Sequence, residues 1–389
     1  MNQWRTSSSG TVVIGNNSPV GSGGEGCVFG IESPDHLKTY CVKRYNTPDK
    51  GQRQQKIEFM LRNRPRNLRG NRYLVCWPEE MVLQNGRFVG FTMPRADYAC
   101  IKLYTLCTNM SPTGWAKFDR DTKAGFEARL KLCVNIASAV HAIHSLDNYV
   151  LVDFKPQNVL VSRDGHIFIV DVDSVQISAN GTVLFPGPVA TPEYVPPEGQ
   201  GGKAVGIVTK TWDRFSLAVV LYQVLLCIHP YSATPVGKFE QYATWQEKIE
   251  HELFVHGKNQ RHLRVIPSPH KGFNRLPTSV QDLFRLAFDA PPDQRPSAET
   301  WGETIFKEMD GQTKVAQMVP TPTPKPTIVK CQFGHIITYK DQVYCRECAF
   351  EGRMEPIYGR QRCPNCGREI AYRSSYCGKC TKATGWPAP

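Results

Sequence analysis

No stretch of this sequence approaches the ~20 consecutive apolar residues that a membrane-crossing helix needs. The longest apolar run, Phe215 to Ile228, is interrupted by Ser216, Tyr222 and Gln223 and reads as a buried core helix. The N-terminus, MNQWRTSSSGTVVIG, lacks the apolar core of a secretory signal, so the expected compartment is the cytoplasm. Acid is in short supply too. There are 35 Asp and Glu against 47 Lys and Arg, a formal net charge of +12. That excess suits an acidic protein, a nucleic acid or a membrane surface without choosing among them. No internal repeat is visible before residue 310.

Paired cysteines are missing from most of the chain. Of 14 cysteines, Cys27, Cys41, Cys76, Cys100, Cys107, Cys133 and Cys227 are scattered singly, and the rest crowd into 331–380. In a cytoplasmic chain that pattern reads as metal binding rather than disulfide bonding.

What is present falls into a β-rich part followed by a helical part. Residues 10–45 alternate apolar and polar side chains around a glycine cluster and predict two or three strands. Residues 50–63 predict a helix, and 73–94 two strands joined by a turn at Asn85-Gly86. Helical periodicity dominates after Asp121, beginning with FEARLKLCVNIASAVHAIHSL. Two short β-like runs, VLVD and IFIVDV, follow it. Further helices are predicted near 212–228, 240–254, 278–289 and 297–309. VPTPTPKPT at 319–327 reads as a semi-extended linker, and the 55 or so residues beyond it as a domain too small to fold without a staple.

Gly21, Gly23, Gly26 and Val28 fit G-x-G-x-x-G-x-V, in which glycines let backbone N–H groups approach phosphate oxygens. Strand-like CVFGI follows, so a β-hairpin flap is expected rather than the helix of a dinucleotide fold. Lys43 ends the next strand, within reach of α- and β-phosphates. Between Lys43 and Trp77 the only acids are Asp49 and Glu58, and Glu58 lies in the helical stretch, so Glu58 is expected to hold Lys43.

Asp153-Phe-Lys155-Pro-Gln-Asn158 is followed by Asp171-Val-Asp173, then by ATPEYVPPE at 190–198, Asp213 before FSLAVVLYQVLL, and PDQRPS at 292–297. In these motifs, in this order, the sequence resembles the eukaryotic-like protein kinases over about residues 15–310. The resemblance implies an α+β, bilobal kinase fold over 1–312, with an N-lobe at about 10–95 and a C-lobe at about 96–312. A proline-rich linker at 313–329 and a zinc-ribbon-like domain at 330–383 would follow. It implies ATP with Mg²⁺ or Mn²⁺ as cofactors and protein substrates as partners. Asp153 would accept the substrate hydroxyl proton and Lys155 would neutralise the transferred phosphoryl group. Asn158 and Asp171 would hold the magnesium, and Met93 would lie at the adenine-contacting hinge Thr92-Met93-Pro94. Glu198 and Arg295 would form a buried ion pair that serves folding. Lys155 together with Thr191 favours serine/threonine over tyrosine specificity.

The sequence departs from that pattern in three places. Leu151-Val152 replace the usual His-Arg, which puts control by activation-segment phosphate in doubt. Asp173 replaces the glycine of D-F-G and either caps the following turn or adds to the metal site. Pro196 replaces an alanine. A nucleotide-binding pseudokinase scaffold is the alternative reading.

In the tail, Cys363-x-x-Cys366 and Cys377-x-x-Cys380 are two knuckles, preceded by Cys331-x3-His335 and Cys345-x-x-Cys348. Eight ligands suit two structural Zn²⁺ ions. Sequential pairing is favoured, and a crossed pairing of Cys345/Cys348 with Cys363/Cys366 stays open. Four protein ligands per ion leave no position for catalysis, so the tail is expected to recognise protein or, less favoured, nucleic acid. With DVDSVQ, it is similar to bacterial kinases that carry C-terminal zinc ribbons. Some of those are encoded beside a von Willebrand factor A-domain protein and a PP2C-type phosphatase in tellurite-resistance or stress clusters, which suggests these two as partners.

Overall fold

A computed structural model describes residues 2–48, 52–96, 99–108, 112–202, 207–309, 360–362 and 369–371. Two compact units divide the chain, residues 1–313 and 314–389.

The first unit opens with strands β1 (Asn2–Thr6), β2 (Val12–Gly15), β3 (Gly21–Ser22), β4 (Gly26–Ser33) and β5 (Tyr40–Tyr45). Helix α1 (Arg53–Arg62) and strands β6 (Tyr73–Val75), β7 (Glu80–Gln84) and β8 (Arg87–Pro94) follow. Seven of these strands form one sheet, in the order β2-β1-β7-β8-β5-β4-β3, and an extra β2–β4 pairing closes it on itself. Trp4, Val13, Phe29, Ile31, Val42 and Val82 fill the space it encloses. The sheet also takes in Asn2–Thr6, ahead of the residue 10 at which the lobe was expected to begin. The apolar signal in β1 is a single tryptophan, 2% exposed, and its worth depends on β2 and β7 arriving to cover it. Gly15 is a glycine because a Cβ there would stand 2.6 Å from the Trp4 ring. The β7–β8 turn is at Asn85-Gly86, both with positive φ, as the Asn-Gly pair predicts.

The chain then passes β9 (Ile101–Lys102) and α2 (Leu103–Leu106) into the long helix α3 (Lys123–His144). Thr122 caps α3 by accepting the Gly125 amide. Strands β10 (Tyr149–Val150), β11 (Val159–Val161), β12 (Ile167–Ile169), β13 (Gln176–Ala179) and β14 (Thr182–Phe185) carry the site. VLVD pairs only at its first residue, because the chain turns at Val152 (φ 65°) to present the loop beyond it. Helix α4 (Lys210–Leu226) is buried on nearly all sides, consistent with its apolar run. The helix expected at 240–254 is shorter. In α5 (Trp245–Glu250) a Thr244–Glu247 capping box sets the start, and Glu252 at φ 52° follows the end. Helices α6 (Thr278–Asp289) and α7 (Ala298–Met309) lie close to their expected bounds, and α7 packs along α3. No described helix is long and apolar enough to cross a membrane.

In the second unit the described residues are two paired antiparallel strands, Arg360–Arg362 and Glu369–Ala371. Cys331, His335, Cys345, Cys348, Cys363, Cys366, Cys377 and Cys380 all lie outside the described residues.

Candidate active site

The loop that carries Asp153 begins where β10 ends. Buried Asp213, near the start of α4, accepts the amides of Leu151 at 2.7 Å and Val152 at 2.9 Å and meets His144 Nε2 at 2.8 Å. Those bonds hold Val152 in the left-handed region, which costs a non-glycine residue about 1–2 kcal/mol. Pro156 opens a short 3₁₀ turn that delivers Asn158. β11 pairs antiparallel with β12, and the Val170 amide donates to the Asn158 carbonyl at 2.9 Å. Asn158 and Asp171 therefore emerge from the same end of one hairpin.

Asp153 is the hub of the loop. Its Oδ2 accepts from Lys155 Nζ at 2.6 Å, and its Oδ1 accepts from the Thr191 amide at 2.9 Å and the Thr191 hydroxyl at 2.7 Å. Lys155 also donates to Thr191 Oγ1 at 2.7 Å. Thr191 thus bridges the Asp153 carboxylate and the Lys155 ammonium.

The glycine motif forms a β-hairpin, as expected. Gly21 lies opposite Val28, and the Gly23 amide donates to the Gly26 carbonyl at 2.9 Å. A Cβ at Gly26 would stand 2.4 Å from the Arg44 carbonyl oxygen, whereas Gly23 and Gly24 have open space. Val28 is also the register partner of Lys43, so flap and lysine are adjacent. Met93 lies inside β8, buried, with its carbonyl accepting from Cys41 Sγ at 3.6 Å. Thr92, Met93 and Pro94, expected at the hinge, are the last residues of β8 and pair with Val42, Cys41 and Tyr40 of β5.

Lys43 does not meet Glu58. Its Nζ donates to Asp171 Oδ1 at 2.6 Å and to Asp173 at 2.6 and 2.8 Å. Glu58 instead accepts from Gln54 Nε2 at 3.0 Å, one turn back along α1. Helix phase is the cause. Ile57 and Met60 mark the inward face of α1, and Glu58 falls well round from it. The charge that approaches the site from α1 is Lys56, whose pKa burial pushes down to about 8 against the attraction of Asp173 and Glu25.

Asp173 neither caps an exposed turn nor faces solvent. It is buried and accepts the Tyr45 hydroxyl at 2.7 Å. Burial alone would raise its carboxyl pKa, but the Lys43 charge and the Lys43 and Tyr45 hydrogen bonds outweigh it and hold the value below the usual one. Burial would likewise depress the Lys43 ammonium, but Asp173 and Asp171 outweigh it and raise it. The sequence signal for Asp173 was its place two residues after Asp171, where a glycine was expected.

Glu198 and Arg295 form the expected ion pair, bidentate at 2.6 and 2.8 Å, but only Arg295 is buried, the Glu198 side chain being 34% exposed. Among the basic residues of 50–72, Arg53 pairs with Glu25, Arg64 with Glu79 and Arg72 with Asp164, while Arg62, Arg66 and Arg69 are exposed.

The donor set suits magnesium. Asn158 Nδ2 is spent on the Asp153 carbonyl at 3.0 Å, leaving its amide oxygen, and the Asp171 carboxylate is 45% exposed. Both offer the hard oxygens this ion takes.

A glycine flap and buried lysine on a β-lobe, over a helical lobe carrying D-x-K-x-x-N and a second aspartate, is the arrangement of a protein kinase domain. The chain belongs to that family: it matches the protein kinase domain over residues 15–306. It is 28% identical over 290 residues to Protein kinase YegI of Escherichia coli K12, covering 72% of this chain and 42% of that protein. It is 33% identical over 191 residues to the cAMP-dependent protein kinase catalytic subunit 3 of Drosophila melanogaster, covering 49% of this chain and 30% of that one. The matched part thus spans less than half the length of these curated relatives.

Proposed function

We propose that the protein is an ATP-dependent serine/threonine protein kinase with a zinc-binding recognition tail. The observation that carries this is the bonding of Asp153 to both Lys155 and the Thr191 hydroxyl and amide. A carboxylate so held keeps its orientation as a substrate hydroxyl approaches and can take up its proton. Lys155 then sits where charge accumulates on the transferred group. Lys43 steadies the α- and β-phosphates, and the flap closes over them with backbone amides. Asn158 and Asp171 would hold magnesium, which when bound neutralises the phosphate charge. Thr191 supports serine/threonine specificity through its place beside the base.

The tail reading rests on the eight ligands Cys331, His335, Cys345, Cys348, Cys363, Cys366, Cys377 and Cys380, taken in sequential fours around two Zn²⁺. Its function would be recognition of protein partners, with a von Willebrand factor A-domain protein and a PP2C-type phosphatase as candidates.

Radiolabelled ATP, Mg²⁺ and a generic protein substrate test the proposal. The wild type should label serine or threonine, and Asp153→Ala should not. Equal labelling by both would refute the assignment. Nucleotide binding without transfer by the wild type would favour the scaffold alternative.

A further inference from the structure

Lys43 touches two aspartates that are not equivalent. The Asp173 carboxylate is 2% exposed, and that of Asp171 is 45% exposed. Asp173 accepts from Lys43 on both oxygens and from Tyr45 on Oδ2, so its acceptor capacity is spent inside the protein. Asp171 gives Lys43 one oxygen and has no protein donor on the other among the described residues. One carboxylate is built as a clamp, and the other is left able to take a cation.

Helix α1 offers no competing clamp. Lys56 borders its buried face, and Glu58 lies two residues on, about 200° round the helix. Turning α1 to bring Glu58 inward would withdraw Ile57 and Met60, both fully buried, from the core. Asp173 also travels with Asp171 in one short turn, closed by the Ser174 hydroxyl on the Asp171 carbonyl at 2.8 Å.

We infer that Asp173 is the positioning residue for Lys43, aiming its ammonium at the nucleotide phosphates, and that α1 takes no part in holding it. The lysine and the metal-binding aspartate are thereby set by a single turn of the activation segment. Movement of α1 does not disconnect them. The inference rests on the nucleotide-binding reading of this site.

The test is the preference of the full-length chain for MgATP over adenosine, read by calorimetric titration, in the wild type and in Asp173→Asn, Tyr45→Phe and Glu58→Gln. Lys43 acts on phosphates, so Asp173→Asn should weaken MgATP binding about tenfold and leave adenosine affinity in place. A merely structural role would weaken both ligands together. Tyr45→Phe keeps every charge and releases only one side of the Asp173 clamp. It should give a smaller loss of the same preference, and it serves if Asp173→Asn does not fold. Glu58→Gln should match the wild type. The inference is overturned if neither Asp173→Asn nor Tyr45→Phe lowers the preference, or if Glu58→Gln lowers it as much. A wild type that binds MgATP but transfers no phosphate refutes the kinase proposal and leaves this one standing. A wild type with no preference for MgATP overturns both.

Discussion

Val152 and Asp213 are 61 residues apart in sequence and 2.9 Å apart in space, the Val152 amide donating to the buried Asp213 carboxylate. The bond, with its neighbour from Leu151, anchors the catalytic loop to the core helix of the large lobe. It also explains how the loop keeps its shape with Leu151-Val152 in place of His-Arg. The anchor acts on backbone amides, which any residue but proline supplies.

Asp213→Ala should therefore cost both stability and turnover. Two buried amides lose their acceptor at ~1–3 kcal/mol each. Urea unfolding should show a loss of ~2–6 kcal/mol. Phosphotransfer should fall through kcat, with ATP affinity little changed, since Asp153 follows directly in the loop. An Asp213→Ala protein with wild-type kcat would mean that the anchor does not shape the loop.

Asp171→Ala should abolish Mg²⁺-dependent transfer while the fold persists, because its carboxylate is half exposed and Lys43 keeps Asp173. Steady-state kinetics and a melting curve separate the two effects. Retained magnesium dependence with normal rates would exclude Asp171 as a ligand.

The glycines of the flap should differ sharply. A Cβ at Gly26 would collide with the Arg44 carbonyl, so Gly26→Ala should spread β4 from β5, lower the melting temperature and raise the KM for ATP. Gly23→Ala meets open space and should leave the melting temperature unchanged. Equal melting curves for the two variants would contradict the hairpin geometry.

Acid should destabilise the kinase unit through its buried histidines. Burial depresses His229 to about 3, and His256 and His270 to about 4. The unfolded chain binds these protons near pH 6.5 and the folded one does not. Stability is therefore full above about pH 6.5 and declines as pH falls from there toward 4, by at most ~1.4 kcal/mol per pH unit per histidine. His256 stacks on Phe273 at 3.9 Å, so His256→Phe is the variant that should flatten part of this slope. An unchanged slope in denaturant titrations from pH 7 to 4.5 would show that His256 is not one of the groups responsible.

Metal analysis of the purified chain should find about two zinc ions. Cys363→Ser should release zinc and leave MgATP affinity unaltered, since Cys363 lies beyond the kinase match at residues 15–306. Less than about one zinc per chain would reject the tail proposal.

The sequence by itself determined the chemistry-bearing motifs and the elements that carry them. Asp153, Lys155, Asn158 and Asp171 fall within 19 residues, and short-range rules suffice there: a proline-opened turn and a tight strand pair. The flap was legible because strand residues follow the glycines, and α3 and α4 because their apolar runs are long. Tertiary structure alone decided which acid meets Lys43. Asp173 is 130 residues away from it, and Glu58 is close in sequence but on the wrong side of α1. It also decided that Thr191 bonds Asp153 across 38 residues and that Trp4 makes β1 part of a closed sheet. The physical reason is common to all three. Local backbone geometry is written in neighbouring residues, whereas a buried ion pair or a ring of strands exists only once distant segments have packed and excluded water between them.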